Sequence, residues 1–489
     1  MFSKIFGSNS YIVGGCIRDC LLSKGDIKDI DIVCIACCDD FKDIIKRASK
    51  RFTLFALDKE RDIWRVTLGK GLTIDISRAD DLFSDIIRRD FTINSLAIKI
   101  GDVDIRIKKE TFLFRFSDKK ILDLTKKGFK DISDGVVRHI TEKVFDEDPL
   151  RILRAFRLAS QFNLRICPST KKLICKKKKL IHIVAAERIR DEIVKMASTD
   201  RFFTASKLML DTEVLFELFT DLKKQVGCAN VYYGKDGVIK HTLSVIERLD
   251  MYFEKPQRYT DIPPSLIQRL EEERYLIKIA GLFHDIAKPH TARVIDGRLR
   301  FFGHEQKGVE ITKEYLERFR FSNKEIDYIL SIIKHHLRIG SIASNDPLTK
   351  KALLRVFYDV KQYTLGLLVL SWADYASHIK KSKLLSIVDK IKKTPQPLVK
   401  KLSKTGLRKT IRFMQVVNLM IKNYNNFSFA LDIKPLLDGN DIMKLLSIPP
   451  SPLVGKIKKR LINLQLEGKI TTKEKAAEYV RNFFKSLSL

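Results

Sequence analysis

No stretch of this chain reaches the roughly 18 consecutive apolar residues that a membrane-spanning helix needs. The first residues, MFSKIFGSNSYIVGG, lack the layout of a secretory signal. The expectation is a soluble, cytoplasmic protein with no membrane partner. Cysteine is scarce and poorly spaced for structural use: of eight, five are Cys16, Cys20, Cys34, Cys37 and Cys38. The Cys-x-x-Cys within CIACC (34–38) has no second pair at zinc-site spacing, and no helix N-terminus is evident there to lower a thiol pKa. That argues against a zinc ribbon or a redox motif and for ordinary reduced thiols. Repeats with a period of 20 to 50 residues are absent. Acidic residues are short as well, 60 Asp and Glu against 92 Lys and Arg, a net charge of +32. Solubility does not require such an excess. A polyanionic partner explains it most simply, with nucleic acid first; the plain alternative is solvated lysine-rich helix faces such as CKKKKL (175–180).

The 489 residues exceed one ordinary core, and about 100 to 200 residues per domain suggests three or four domains. Residues 1 to about 136 mix short strand-like runs (11–13, 29–35, 72–76 and 95–100) with helical stretches, which reads as an α/β or α+β domain. From about residue 141 almost everything reads as helix, as in FDEDPLRILRAFRLASQF and AAERIRDEIVKM, where apolar residues recur at helical spacing. Proline-bearing breaks at 255–265, 392–401 and 447–456 punctuate this region.

Within DIKDIDIV, Asp29 and Asp31 stand one residue apart beside Ile30, Ile32 and Val33. Side chains alternate along a strand, so both aspartates point to one spot while Ile30 and Ile32 face the core. Two like charges so placed call for a divalent cation. Just upstream, a strand at 11–13 runs into Gly14 and Gly15 and then a helix-like CIRDCLL, an arrangement whose exposed N–H groups cradle a phosphate, with Arg18 adding positive charge. A phosphate cradle beside a two-carboxylate metal site is what nucleotidyl transfer needs.

These runs, followed by RRDFTINSLAI (88–98), EDPLRILRAFR (147–157), ERIRDEIVKM (187–196) and a C-terminal PLLDGNDIMKLL, resemble the bacterial tRNA nucleotidyltransferase and poly(A) polymerase family, whose heads are polymerase-β-like. The resemblance spans nearly the whole chain. It implies Asp29 and Asp31 as catalytic magnesium ligands, Gly14, Gly15, Arg18 and Arg89 on the nucleotide triphosphate, and Asp90 and Asn94 around the ribose. Asp75 sits where the superfamily often has a third carboxylate; a structural role is the alternative. Asp148, Arg151, Arg154 and Arg157 recur every third residue and, on one helix, form a slowly turning polar ridge. An aspartate that accepts from an exocyclic amino group and an arginine that donates to the adjacent ring atom select C and A over U and G, so Asp148 and Arg151 can choose CTP and ATP without a nucleic-acid template. In the family these positions act as an amino-acid template.

One departure concerns the stretch between TIDISR (73–78) and DDLFSDIIRRD (80–90), where only Ala79 intervenes. Family members that build a full CCA end carry a flexible loop there, and CC-adding members lack it. The expectation is addition of CC, with the final A left to a separate A-adding enzyme. Around Cys16 and Ser23-Lys24-Gly25 the turn has one extra residue, which leaves the exact triphosphate contacts open.

A second constellation, His241, His284-Asp285, His304, His335-His336 and Asp374, resembles an HD-type metal-dependent phosphohydrolase domain. That resemblance implies His241, His284, Asp285 and Asp374 as ligands of a second divalent metal of unknown identity, with His304, His335 and His336 holding another ion or a substrate phosphate.

The expected fold class is α+β, a mixed α/β nucleotidyltransferase head (1–136) followed by an all-helical neck and body (137–230), HD domain (231–390) and RNA-binding tail (391–489). Basic runs at 171–180 and 399–409 are candidate phosphate contacts. The leading function is nucleotidyl transfer to the tRNA 3′ end from CTP, with ATP added if the full CCA is built. The alternatives are poly(A) polymerase, an HD phosphohydrolase as the main activity, and a plain RNA-binding protein.

Overall fold

In the computed structural model the described residues are 2–22, 27–60, 62–69, 71–108, 110–345, 347–393 and 406–486. The turn at 23–25 and residues 394–405, which include parts of the 392–401 break and of the 399–409 basic run, lie outside them. The chain divides into two units, Met1–Met196 with Thr204–Leu218, and Ala197–Phe203 with Phe219–Leu489. The class is α+β, with a mixed sheet in the first unit and helices dominating the second.

Alternation builds the first unit. Its strands are β1 (Ser10–Val13), β2 (Asp29–Ile35), β3 (Thr53–Asp58), β4 (Ile63–Thr67), β5 (Thr73–Ala79), β6 (Leu96–Lys99), β7 (Asp104–Lys108), β8 (Thr111–Arg115) and β9 (Ile121–Asp123). Seven of them form one sheet in the order β3-β4-β5-β2-β1-β6-β9, with β2 and β5 parallel and the other neighbours antiparallel. Ile12, Ile30, Ile32, Ile74, Ile76 and Ile98 fill one face against Phe6, Phe41 and Ile44. The other face carries a smaller cluster of Val13, Val33, Ile86 and Ala97 beyond the polar ends of the strands.

Strands β3 and β4 have no counterpart among the expected runs, because the residues of β3 alternate only between exposed and half-buried and offer no buried stripe to read. The CIACC stretch also differs from expectation. A helix does begin there, Cys38–Ser49, and Cys37 caps it by accepting from the Asp40 N–H. All eight cysteines are unpaired. Farther on, β10 (Val136–Val137) pairs in parallel with β11 (Arg165–Ile166).

The second unit packs helices Val238–Glu254, Ile267–Phe283, Asn323–His335 and Leu407–Lys422 around the apolar helix Thr364–Ser377. The first two helices approach so closely that a Cβ on Gly281 would lie 2.6 Å from Leu249 Cδ1. The hairpin of β12 (Arg293–Ile295) and β13 (Arg298–Arg300) interrupts the helical pattern. Toward the C-terminus, Gly439–Leu446, Pro452–Leu466 and Lys473–Lys485 share a core of their own around Ile442, Ile457, Leu461 and Val480. No helix among the described residues is long and apolar enough to cross a membrane.

Candidate active sites

In the first unit the parallel register sets Asp29 opposite Thr73 and Asp31 opposite Asp75. Cross-strand neighbours share a face, so Asp29, Asp31 and Asp75 form a carboxylate row. Asp75 is already matched, because Arg65 on β4 donates to both of its oxygens at 2.7 Å. Asp29 accepts from the Thr73 hydroxyl. Asp31 forms a longer ion pair with Arg89, Nη1 to Oδ2 3.9 Å. Burial raises the Asp31 carboxyl above the ordinary range; Arg89 opposes this, and Asp75 and Asp29 add to it. The pair's donors are all oxygen, the set that suits magnesium.

Gly14 closes the turn from β1 into helix Gly15–Leu21 with φ +86° and ψ −145°. A Cβ there would lie 2.8 Å from Asp31 Oδ2 and 2.9 Å from Arg89 Nη1. Only glycine permits this approach, and it brings Gly14, Asp31 and Arg89 to one point. Arg18 is elsewhere: 6 % exposed, it pairs with Asp19 at 2.7 Å, donates to Asn94 and stacks over the Phe162 ring. From Asn94 the chain of contacts continues to Asp90 (2.9 Å) and then to Arg154 (3.1 Å). Burial alone would raise the Asp90 carboxyl, but Arg154, the Asn94 amide and the Phe91 N–H hold it below its ordinary value. Arg157 is committed to Glu192 at 2.7 Å.

A cleft of about 1360 Å³ opens over Asp31 and Asp75, lined also by Arg89, Asp148, Arg151 and Arg188. The four-residue ridge is not one helix face. Asp148 is extended (φ −148°, ψ 100°) and the helix begins at Arg151, since Pro149 disfavours helical backbone at the residue before it. Asp148 accepts from Arg188 at 2.8 Å, a partner 40 residues away that the sequence reading did not single out. Arg151 donates to Glu147 at 3.0 Å and to the Arg88 carbonyl at 2.7 Å. On the cleft's other lip, two residues, Asp80 and Asp81, connect β5 to helix Leu82–Ile87. In the basic run at 171–180, Lys171, Lys177 and Lys178 are ion-paired, whereas Lys172, Lys176 and Lys179 are exposed without an ion pair among the described residues.

In the second unit Asp285 bridges two groups. Its Oδ2 lies 3.4 Å from His241 and 3.3 Å from His284, and Asp374 lies 3.2 Å from His241. Its Oδ1 lies 3.4 Å from His304 and 3.7 Å from His336. His284, His304 and His336 each bond a backbone carbonyl three residues back through Nδ1, at 2.9, 2.7 and 2.6 Å. A carbonyl only accepts, so each Nδ1 carries the hydrogen and each ring turns its Nε2 inward. His284 then faces His241 at 3.4 Å, and His304 faces His336 at 3.1 Å. Burial pushes His336 down to about 3, so it is neutral, and Asp285 Oδ1 is buried without a hydrogen-bond partner. Facing imidazole nitrogens and a buried carboxylate oxygen fit divalent cations, with His241, His284 and Asp374 as one ligand group and Asp285, His304 and His336 as the other.

His335 does not join them. It is half-buried, and its charged neighbours are Arg338, Lys334 and Asp359, because adjacent residues at a helix end point about 100° apart. Two further members were not foreseen. Lys288 Nζ sits 2.5 Å from Asp285 Oδ2 and 2.7 Å from the Tyr233 hydroxyl, and the His378 ring stacks on His241.

Sheet, carboxylate row and HD-type cluster together define a metal-dependent nucleotidyltransferase head joined to an HD-type domain. Family models agree segment by segment: a poly(A) polymerase head domain at 10–138, a probable RNA- and SrmB-binding site of polymerase A at 163–225, and an HD domain at 238–378. The chain is similar to the CC-adding tRNA nucleotidyltransferase of Thermus thermophilus, 24 % identical over 96 % of this chain and 93 % of that one. It is also similar to the A-adding tRNA nucleotidyltransferase of Deinococcus radiodurans, 24 % identical over 88 % of this chain and 86 % of that one. A CC-adding enzyme of Geobacter sulfurreducens is 36 % identical over 39 % of this chain and 40 % of its own. The fold is shared with the Thermotoga maritima CCA-adding enzyme solved with tRNA, TM-score 0.53 at 20 % identity, covering 97 % of this chain and 91 % of that one. The chain belongs to the bacterial tRNA nucleotidyltransferase and poly(A) polymerase family and is an enzyme, a nucleotidyltransferase.

Proposed function

We propose that this enzyme adds cytidines from CTP to the 3′ end of tRNA and stops after two, leaving the terminal A to a separate enzyme. The observation that carries the transfer reading is the carboxylate row with Gly14 pressed between Asp31 and Arg89. Asp29 and Asp31 hold the cation; Gly14, Gly15 and Arg89 hold the triphosphate. A magnesium ion held by Asp29 and Asp31 would supply charge neutralisation to the transfer. The tRNA 3′ hydroxyl gives up its proton to water as its oxygen adds to the α-phosphorus, the bond to the bridging oxygen breaks, and pyrophosphate departs. Asp148 and Arg151 read the base from the cleft wall. Arg18, Asn94, Asp90 and Arg154 act behind them as positioning residues, with Arg157 anchoring the same helix through Glu192. The two-residue link at Asp80–Asp81 supports the stop after CC, since it leaves no room for the loop that full CCA builders carry. Segments 137–230 and 391–489 grip tRNA through charge.

The test supplies tRNA lacking its CCA end, magnesium, and CTP, ATP or both, and sequences the products. Two added C residues with ATP ignored support the proposal. A complete CCA overturns the stop while keeping the transfer, and long A tails make the enzyme a poly(A) polymerase.

The His-Asp cluster favours a second activity, metal-dependent phosphoester hydrolysis. Its ligands are His241, His284 and Asp374 on one side of Asp285, and His304 and His336 on the other.

A further inference from the structure

We infer that the open face of β5, β4 and β3 is the track on which the single-stranded 3′ end of the acceptor RNA lies, with Phe55 as its stacking platform; the inference rests on the transfer reading above. Two rows of side chains lead outward from the carboxylates. Asp31, Asp75, Arg65 and Phe55 stand in line across β2, β5, β4 and β3, and beside them run Asp29, Thr73, Thr67 and Thr53. Cross-strand partners share a face, so both rows look the same way. The residues between them, Leu54, Trp64, Val66, Ile74 and Ile76, turn to the opposite face and join the apolar core. Phe55 is three strands from Asp31, about 14 Å at the usual strand spacing.

In-line displacement decides from which side the RNA comes, because the attacking and leaving oxygens lie on opposite sides of the phosphorus. Gly14 and Arg89, which hold the triphosphate, meet at the end of β1, and β1 flanks β2 on the side away from β5. Pyrophosphate departing toward them leaves the 3′ oxygen to enter over Asp75, with the RNA behind it running toward β3. The cleft takes the same direction, reaching Asp75 and Ser77 on β5 and Ile63 on β4. Phe55 and its neighbour Leu57 are each 45 % exposed, and β3 is the edge of the sheet. An exposed aromatic ring on a sheet face is a surface on which unpaired bases stack. Arg65 gives Nε and Nη2 to Asp75 and, among the described residues, keeps the Nη1 hydrogens for a phosphate. Thr67 and Thr53 offer hydroxyls to ribose and phosphate oxygens. Just before β3, Lys50 and Arg51 are exposed and, among the described residues, without ion pairs, so the far end of the track is basic.

The test uses the full chain and tRNA lacking its CCA end, with 2-aminopurine placed in turn at each of the last three nucleotides. On binding to the parent, the base that stacks on Phe55 loses fluorescence. In Phe55→Ala that quenching disappears and KM for tRNA rises about 5- to 150-fold, the range for one base stacked on an aromatic ring, while KM for CTP holds. Phe55→Tyr, which keeps the ring, restores both. Leu113→Ala, at a residue of β8 that is also 45 % exposed, changes neither. Quenching and KM for tRNA that survive in Phe55→Ala overturn the inference, as does a loss that Phe55→Tyr fails to restore or the absence of quenching at all three positions in the parent. If the parent extends no RNA with any nucleotide, the transfer reading fails, and the quenching alone decides whether Phe55 holds an RNA end.

Discussion

Replacing Gly14 by alanine tests the head site at its tightest point. The added Cβ would stand 2.8 Å from Asp31 Oδ2 and 2.9 Å from Arg89 Nη1, both inside van der Waals contact. Neither neighbour yields freely: Asp31 is fixed in register between Val13 and Asp75, and Arg89 is held by Asp85 at 2.9 Å. The backbone adds its own penalty, since φ +86° with ψ −145° suits glycine alone and strain of this kind costs about 1 to 3 kcal/mol. At roughly 2 to 4 °C per kcal/mol for a unit of this size, Tm should fall by about 2 to 12 °C. The chemical effect is larger, because a misplacement of about 1 Å in a reacting geometry costs on the order of 100-fold. Steady-state incorporation of CMP into tRNA lacking CCA should show kcat down about 100-fold with KM for CTP nearly constant. Gly15→Ala is the comparison: its Cβ meets only the far end of Arg18, at 3.1 Å, and the loss should stay under about 10-fold. Wild-type kcat in Gly14→Ala would refute the reasoning.

Asp29→Ala and Asp31→Ala should each cut nucleotide incorporation by about 1,000-fold or more while sparing hydrolysis of p-nitrophenyl phosphate, because a metal site without its carboxylates loses transition-state charge stabilisation; parallel loss of both activities would contradict two separate sites. Asp285→Ala should weaken metal binding in both ligand groups, since it belongs to one and its other oxygen lies 3.4 Å from His241 of the other, and elemental analysis of the purified variant should find less than half the divalent metal of the parent. Asp148→Ala should relax the choice of CTP over UTP by about 10- to 100-fold in competition, from loss of one specific acceptor worth roughly 1 to 3 kcal/mol. Arg188→Ala, which removes that carboxylate's 2.8 Å partner, should shift the same ratio less than Asp148→Ala does.

Much of this was written in local pattern, and the rest was not, for identifiable reasons. Alternation placed β2 at Asp29–Ile35, because Ile30 and Ile32 face a fully apolar core and leave the aspartates only one side to occupy. The same rule says nothing where neither face is fully covered, and β3 went unread. A three-residue period suggested a helical ridge through Asp148, but Pro149 breaks the helix and the ridge starts at Arg151. A cysteine is an uncommon helix cap, so the start at Cys38 passed unnoticed. In the HD-type cluster the ligand types were visible in order, yet the exclusion of His335 and the arrival of Lys288 and His378 depend on side-chain direction and on partners far along the chain. Arg65 on Asp75, Arg188 on Asp148 and Glu192 on Arg157 are likewise products of folding rather than of spacing.

The link between β5 and the next helix has a further consequence. Asp81 caps that helix by accepting from Ser84, and Asp80 is held by Arg78 at 2.6 Å, so both residues of the link are pinned. That short lip frames one side of the cleft. On the proposed function, so short a link leaves the difference between one addition and the next to the lengthening RNA end rather than to a movable loop beside the cleft.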